Sequence, residues 1–406
     1  MQSFAEKRKV NVCFTRSANL IQMKKSISFL SLILCLQLTS CSYLKNVQLL
    51  SSGKLERKQF VESVPFTLRK DIIVLSAQLS DDTTQHEFIF DIGAFNSKVE
   101  KGLAERLGYK TITTKSNGTA SGVTREIEVT QIDSIRIGQT SFYSISAGKV
   151  VYDESSASPC IASAGIIGAN LMKLAYWKID YQDQILSFSD HAFEVPSGAL
   201  SIPFEHPLLS GTPTIDLKVG EHTVKGLLFD VGYNGGLILP ASLKDNFAGE
   251  EKMILDNATK GIYGGKVDTL YEKQLSVEIG SFKTSIPVLF SANNKALLGN
   301  EFLKHFDVYV DYEEDVISLV VRKDVLVNKM APLVAGILND STWIVNRTIP
   351  AFPLQLGDSL ASINGKKPID LFKNNCEYFF GIGEILNTQN IEIIDTNGKT
   401  ILLKND

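Results

Sequence analysis

The chain has 406 residues, 44% of them hydrophobic and 21% charged, a globular balance in a length that calls for two or three cores, since single cores stop growing near ~250–300 residues. A formal net charge of −4 supplies no basic field for a polyanion, so nucleic acid is not an expected partner. The five histidines and five cysteines fall at no zinc-like spacing, and neither a metal site nor another cofactor is expected.

At the N-terminus, Met23-Lys24-Lys25 precedes an apolar stretch from Ile27 to Leu38, and Leu38-Thr39-Ser40-Cys41 follows. A basic pair before a short apolar run is the layout of an export signal, with Met23 as its natural start. The run is shorter than the ~20 residues of a spanning helix. Its ending resembles a bacterial lipobox, which implies lipidation of Cys41. With Ser42 rather than Asp next, that resemblance further implies an outer-membrane lipoprotein facing the periplasm of the bacterial cell envelope. Residues 1–41 are thus expected as the signal region and 42–61 as a tether.

From residue 62 to 195, short β-branched or aromatic runs alternate with Gly, Asn, Asp and Ser, the pattern of strands and turns. One run closes on an acid, as Phe90-Asp91-Ile92-Gly93-Ala94. A helix is expected over 98–107, a glycine-bearing hairpin at 118–122, and a turn of helix after Ile166-Ile167-Gly168. Residues 196–325 then repeat the order. Ser63-Val64-Pro65-Phe66 returns as Ser201-Ile202-Pro203-Phe204, and Phe229-Asp230-Val231-Gly232 follows. The spacing predicts a second helix over 241–247, a second hairpin at 261–265 and another turn of helix after Gly299. Gly168 and Gly299 each stand 12 positions before an Asp-Tyr pair, Asp180-Tyr181 and Asp311-Tyr312. A duplicated supersecondary unit accounts for this order, with loops of unequal length.

An Asp before Gly at a strand end is commonly a turn former that bonds nearby backbone N–H groups. Recurrence of the whole setting favours chemistry by the pair, Asp91 with Asp230. Two carboxyls at hydrogen-bonding distance cannot both ionise easily, so one keeps a proton and the other acts as base. Aspartic proteases are the well-known instance of a dyad that titrates in this split way.

Phe90-Asp91-Ile92-Gly93-Ala94, Ile166-Ile167-Gly168-Ala169-Asn170-Leu171 and their counterparts resemble the retropepsin-like aspartyl proteases. That resemblance covers about residues 62 to 322. It implies a mainly β fold of two pseudo-symmetric lobes, 62–195 and 196–325, around a cleft. Asp91 and Asp230 would be catalytic, with Gly93, Ala94, Gly232 and Tyr233 beside substrate and Gly122 and Tyr263 in the hairpin flaps above it. The family sets Thr or Ser after each Asp to hydrogen-bond across the two turns. Here Ile92 and Val231 stand instead, and packing of one on the other is the expected replacement.

Beyond residue 325, Leu356-Gly357-Asp358 and Ile363-Asn364-Gly365 mark turns around a strand, and Asn397-Gly398 joins a closing hairpin. The passage resembles bacterial PDZ domains and implies a small PDZ-like α/β module over 326–406, able to dock a protein partner or support the cleft. Cys160 and Cys376 lie in different expected domains, so two separate thiols are expected rather than a disulfide. The function implied is a lipid-anchored aspartic endopeptidase acting on peptides or proteins. A hydrolysis-dead relative that binds peptides through the cleft and the PDZ-like module is the alternative.

Overall fold

The structure is a computed structural model and describes residues 47–49, 51–119, 122–207, 209, 211–292 and 296–404. The expected signal region and Cys41 lie outside the described residues. Residues 47–49 form part of one unit of the chain, and 51–404 belong to a second, compact unit. The second unit is mainly β, its described strands falling into one sheet of nine strands and one of eighteen.

The first acidic turn sits at a crossing of strands. Asp82–Asp91 runs parallel to Gly165–Gly168, with Asp91 opposite Gly168. Gly165–Gly168 is flanked on its other side by Ser97–Glu100, antiparallel, and Ser97–Glu100 pairs in parallel with Thr140–Val150. In the second half His222–Phe229 is parallel to Leu297–Leu298. Leu237–Pro240 lies antiparallel to Leu297–Leu298 and parallel to Phe282–Ser291. Strand pairings around the second acid therefore follow those around the first. The apolar-apolar-Gly segments supply the short strand at each crossing, where a side chain on the glycine has no room: a Cβ on Gly168 would stand 2.8 Å from the Asn96 carbonyl carbon.

Beneath both turns, six antiparallel strands join the halves. Their order is Val61–Pro65, Ile185–Ser189, Tyr176–Asp180, Phe306–Asp311, Val316–Val321 and Leu200–Glu205. The recurring Ser-apolar-Pro-Phe motifs form its two outer strands. Trp177, Phe188, Phe90 and Phe142 stack above its first half, within one apolar cluster that extends into the second half through Phe229, Phe290 and Phe302. Lys54–Leu55, in the expected tether, already pairs with Phe142 and Tyr143.

Residues 98–107 are not one helix. Pairing on two sides draws Ser97–Glu100 into the sheet, and the Glu100 carboxylate then caps the helix Lys101–Arg106 by accepting from the N–H groups of Gly102 and Leu103. The second expected helix is a 3₁₀ segment, Ala241–Asn246. Short helices Ala169–Met172 and Asn300–Leu303 follow the two glycines.

The last part of the chain has its own core of Trp343, Val345, Leu360, Ile363, Ile391, Ile393 and neighbours. It contains the helix Asn375–Leu386, capped by the Asn374 side chain, and the closing hairpin Asn390–Asp395 with Thr400–Lys404. Thr342–Thr348 extends the second-half sheet, setting Thr348 and Arg347 opposite Leu255 and Asp256, and the Arg347 guanidinium bonds the buried Asp256 carboxylate at 2.7 Å. Against the expectation of separate thiols, Cys160 and Cys376 form a disulfide with Cα atoms 5.2 Å apart. The separation in sequence misled, because the helix bearing Cys376 docks on the first half.

Candidate active site

Local structure turns both acids toward each other. Ile92 and Val231 are fully buried in the main core, and sinking these side chains leaves the flanking Asp and Gly on the opposite side of each turn. The N–H of Ala94 donates to Asp91 Oδ1 at 2.8 Å and that of Gly232 to Asp230 Oδ1 at 2.8 Å. Each carboxyl group lies on the other turn's glycine. A Cβ on Gly93 would stand 2.5 Å from the Asp230 carboxyl carbon, and one on Gly232 would collide with the Asp91 carboxyl. Glycine here is a requirement of close approach.

The two carboxyls, each packed on the other's turn, influence each other's ionisation. Asp230 is 7% exposed and Asp91 partly buried. Burial lifts Asp91 above the usual carboxylate range, opposed first by the charge of Lys98 and then by hydrogen bonds from Asp230 and the turn's backbone. Asp230 stands well above that range, through burial and then the charge of Asp91. The pair titrates as a unit in which Asp230 holds the proton more strongly.

Two asparagines that follow the glycines hold the turns. Asn300, fully buried, donates to the carbonyls of Val231 at 2.6 Å and Asp71 at 2.7 Å and accepts from the Tyr181 hydroxyl at 2.6 Å, stitching the second turn to the first half. Asn170 accepts from the N–H and hydroxyl of Ser97 and donates to the Ser146 carbonyl at 2.9 Å. Sequence reasoning gave neither a role. The signal was present, an amide just after an apolar-apolar-Gly run, but one residue out of register between the halves.

Tyr233 folds back over the segment beyond its own turn. A Cβ on Gly235 would strike its ring and hydroxyl and one on Gly299 would lie 2.5 Å from its Cδ1, so two glycines provide the room that Ala94 does not need. Glycines 261 and 264 close the tip of the second hairpin with reciprocal backbone bonds of 2.9 and 3.1 Å. This tip clasps the first hairpin, Thr113–Gly118 with Thr124–Ile137. Tyr263, expected as a substrate contact, is 3% exposed; its hydroxyl bonds Asn117 at 2.7 Å and Arg125 lies 5.4 Å over its ring. Gly122 is exposed, and its carbonyl accepts from Lys266 at 3.0 Å.

An apolar wall stands beside Asp91. Val74 is opposite Ile89 and Ile89 opposite Ile166, so the three share a face, joined by Ile72, Ala94, Ile161 and Ala162. Ile262 from the second hairpin tip and Phe379 from the C-terminal helix pack on this wall. The disulfide fixes that helix there, three residues from Phe379 and one from Ile161.

Residues 75–171, which span the first acidic turn, the first hairpin and the segment around Gly168, match the family model described as aspartyl protease. No curated protein matches the chain.

Proposed function

We propose that the protein is an aspartic endopeptidase of the retropepsin-like kind, in which two pseudo-symmetric lobes, 62–195 and 196–325, each lend one carboxyl to a common water. The observation that carries this reading is the convergence of Asp91 and Asp230, each carboxyl seated on the other turn's glycine. Asp91, drawn toward its anion by Lys98, takes a proton from the water as its oxygen attacks the peptide carbonyl. Asp230 gives its proton to the carbonyl oxygen. The resulting gem-diol collapses when the C–N bond breaks, its electron pair leaving on nitrogen, which takes up the proton held by Asp91, while the hydroxyl proton returns to Asp230. No covalent enzyme intermediate forms. Backbone of the two hairpins would bind substrate as an added strand. Incubating the chain with a diverse peptide pool across pH, with cuts read by mass spectrometry, tests the reading; turnover that persists undiminished in Asp91→Asn and Asp230→Asn would sink it.

Loss of both turn hydroxyls favours a second reading, a cleft that binds peptide without cutting it, for which the same pool would return bound but intact peptides. Residues 326–406 are read as a PDZ-like module that supports the cleft, on the strength of its own core and its two attachments to the halves. A lipid on Cys41, holding the protein to the periplasmic face of the outer membrane, belongs to the same proposal. Radiolabelled palmitate is expected on the wild-type chain and not on Cys41→Ser; label that survives the substitution would remove the anchor.

A further inference from the structure

One lysine interrupts the apolar wall. Continuing the register from Val74 through Ile89 to Ile166, the residue opposite Ile166 is Lys98. Directly opposed residues of a sheet point to one face, so the Lys98 side chain shares the face of the wall beside Asp91. On its far side it meets Gly148 in register, where even an added Cβ would lie 3.9 Å from Lys98 Cγ.

Lys98 is 5% exposed, and the hydrogen bond of its ammonium is a long one, 3.4 Å to the Asn96 carbonyl. The acid whose charge it feels is Asp91. That carboxyl is already engaged by Asp230 and the Ala94 N–H, and the proposed chemistry needs it as a base. A second cation is close. Lys115, on the first hairpin, holds its ammonium 5.0 Å over the ring of Phe95, and burial followed by the charge of Lys98 brings it down to about 8. Asn96, whose carbonyl takes the Lys98 bond, is fully buried with neither side-chain nitrogen nor oxygen hydrogen-bonded. Lys98 thus sets its charge against Asp91 and against Lys115, beside a residue whose side-chain amide is unspent. Buried charge and buried amides are stable when paired, and what this corner lacks is one more anion.

The geometry points to a subsite in which Lys98 and Lys115 hold a carboxylate side chain of the substrate, with Asn96 Nδ2 as a further donor. Resting on the endopeptidase reading, this assigns the substrate class as peptides carrying Asp or Glu close to the scissile bond, with Lys98 determining specificity. The rest of the wall is apolar, so the residues flanking that acid are apolar.

The full chain, Lys98→Met and Lys115→Met are compared on a peptide pool in which each position around the cut is varied. Wild type is expected to cut with Asp or Glu enriched at one position. Lys98→Met, which restores an apolar row, is expected to lower kcat/KM on a Glu peptide by at least about tenfold relative to its Gln twin. Lys115→Met, on a partly exposed side chain, shifts the same ratio less and guards against misfolding of the first variant. Cutting without acidic preference, or a Glu-to-Gln ratio unmoved by Lys98→Met, overturns the subsite. If wild type cuts nothing, the endopeptidase reading fails separately. Fluorescence anisotropy with the labelled Glu and Gln peptides then decides the subsite: tighter Glu binding that Lys98→Met abolishes supports it, and equal binding of the two overturns it.

Discussion

Asp91→Asn and Asp230→Asn are each expected to slow peptide hydrolysis by about 10²–10⁴-fold, the contribution of one general acid or base. The double variant is expected to be hardly slower than either single one, because the two groups act as a unit and either loss removes the shared proton. These variants should nonetheless be better folded at neutral pH. Asp230 stands well above the ordinary carboxylate range in the folded protein, through burial and the charge of Asp91. A carboxyl raised on folding contributes stability below its unfolded value, near ~4, and loses that contribution as pH rises through the folded value. Asparagine does not ionise. Asp230→Asn should therefore melt above wild type at neutral pH, by about 2–4 °C for each kcal/mol of relief, and the two curves should converge in acid. Differential scanning calorimetry at both pH values separates this outcome from a loss of rate through unfolding, which would lower the melting temperature instead.

Phe379→Ala is expected to lower KM by about 5–30-fold while kcat changes little. The ring of Phe379 packs on the apolar wall beside Asp91, so a substrate side chain must displace it to reach Val74, Ile89 and Ile166. Burying a Phe fully stabilises by about 1.5–3 kcal/mol, and this ring is only partly buried, which leaves about 1–2 kcal/mol opposing the substrate. Opening the disulfide is the less clean route to the same end. Cys376→Ser releases a cross-link over a sequence separation of 216 residues and is expected to cost about 2–4 kcal/mol of global stability. Steady-state kinetics on one cleavable peptide decides it. A KM that stays the same or rises in Phe379→Ala would show that the ring does not compete with substrate.

Features that recur along the chain were legible in the sequence. Both acidic turns, the glycine segments paired with them and the two Ser-apolar-Pro-Phe strands recur in order, and each recurrence marks a strand pairing that the chain makes twice. Contacts made once left no such trace. The disulfide joins Cys160 to Cys376 because a helix after residue 370 docks on the first half, a matter of packing between distant segments. Lys98 read as the start of a helix from local propensity, yet strand partners on both sides took it into the sheet, a tertiary override. Tyr263 looked like a flap residue facing substrate, and its partner Asn117, 146 positions away, gave no local sign. Ile92 and Val231 were conspicuous as missing hydroxyls, expected to pack on each other instead, and both are buried in the main core.

Carbon-13 NMR titration of the Asp carboxyls in wild type and Asp91→Asn tests the convergence of the two acids without any substrate. Burial and the Asp91 charge both raise Asp230, so removing that charge is expected to move the Asp230 midpoint down toward the ordinary range while burial keeps it above. An Asp230 midpoint unmoved by Asp91→Asn would contradict a shared dyad.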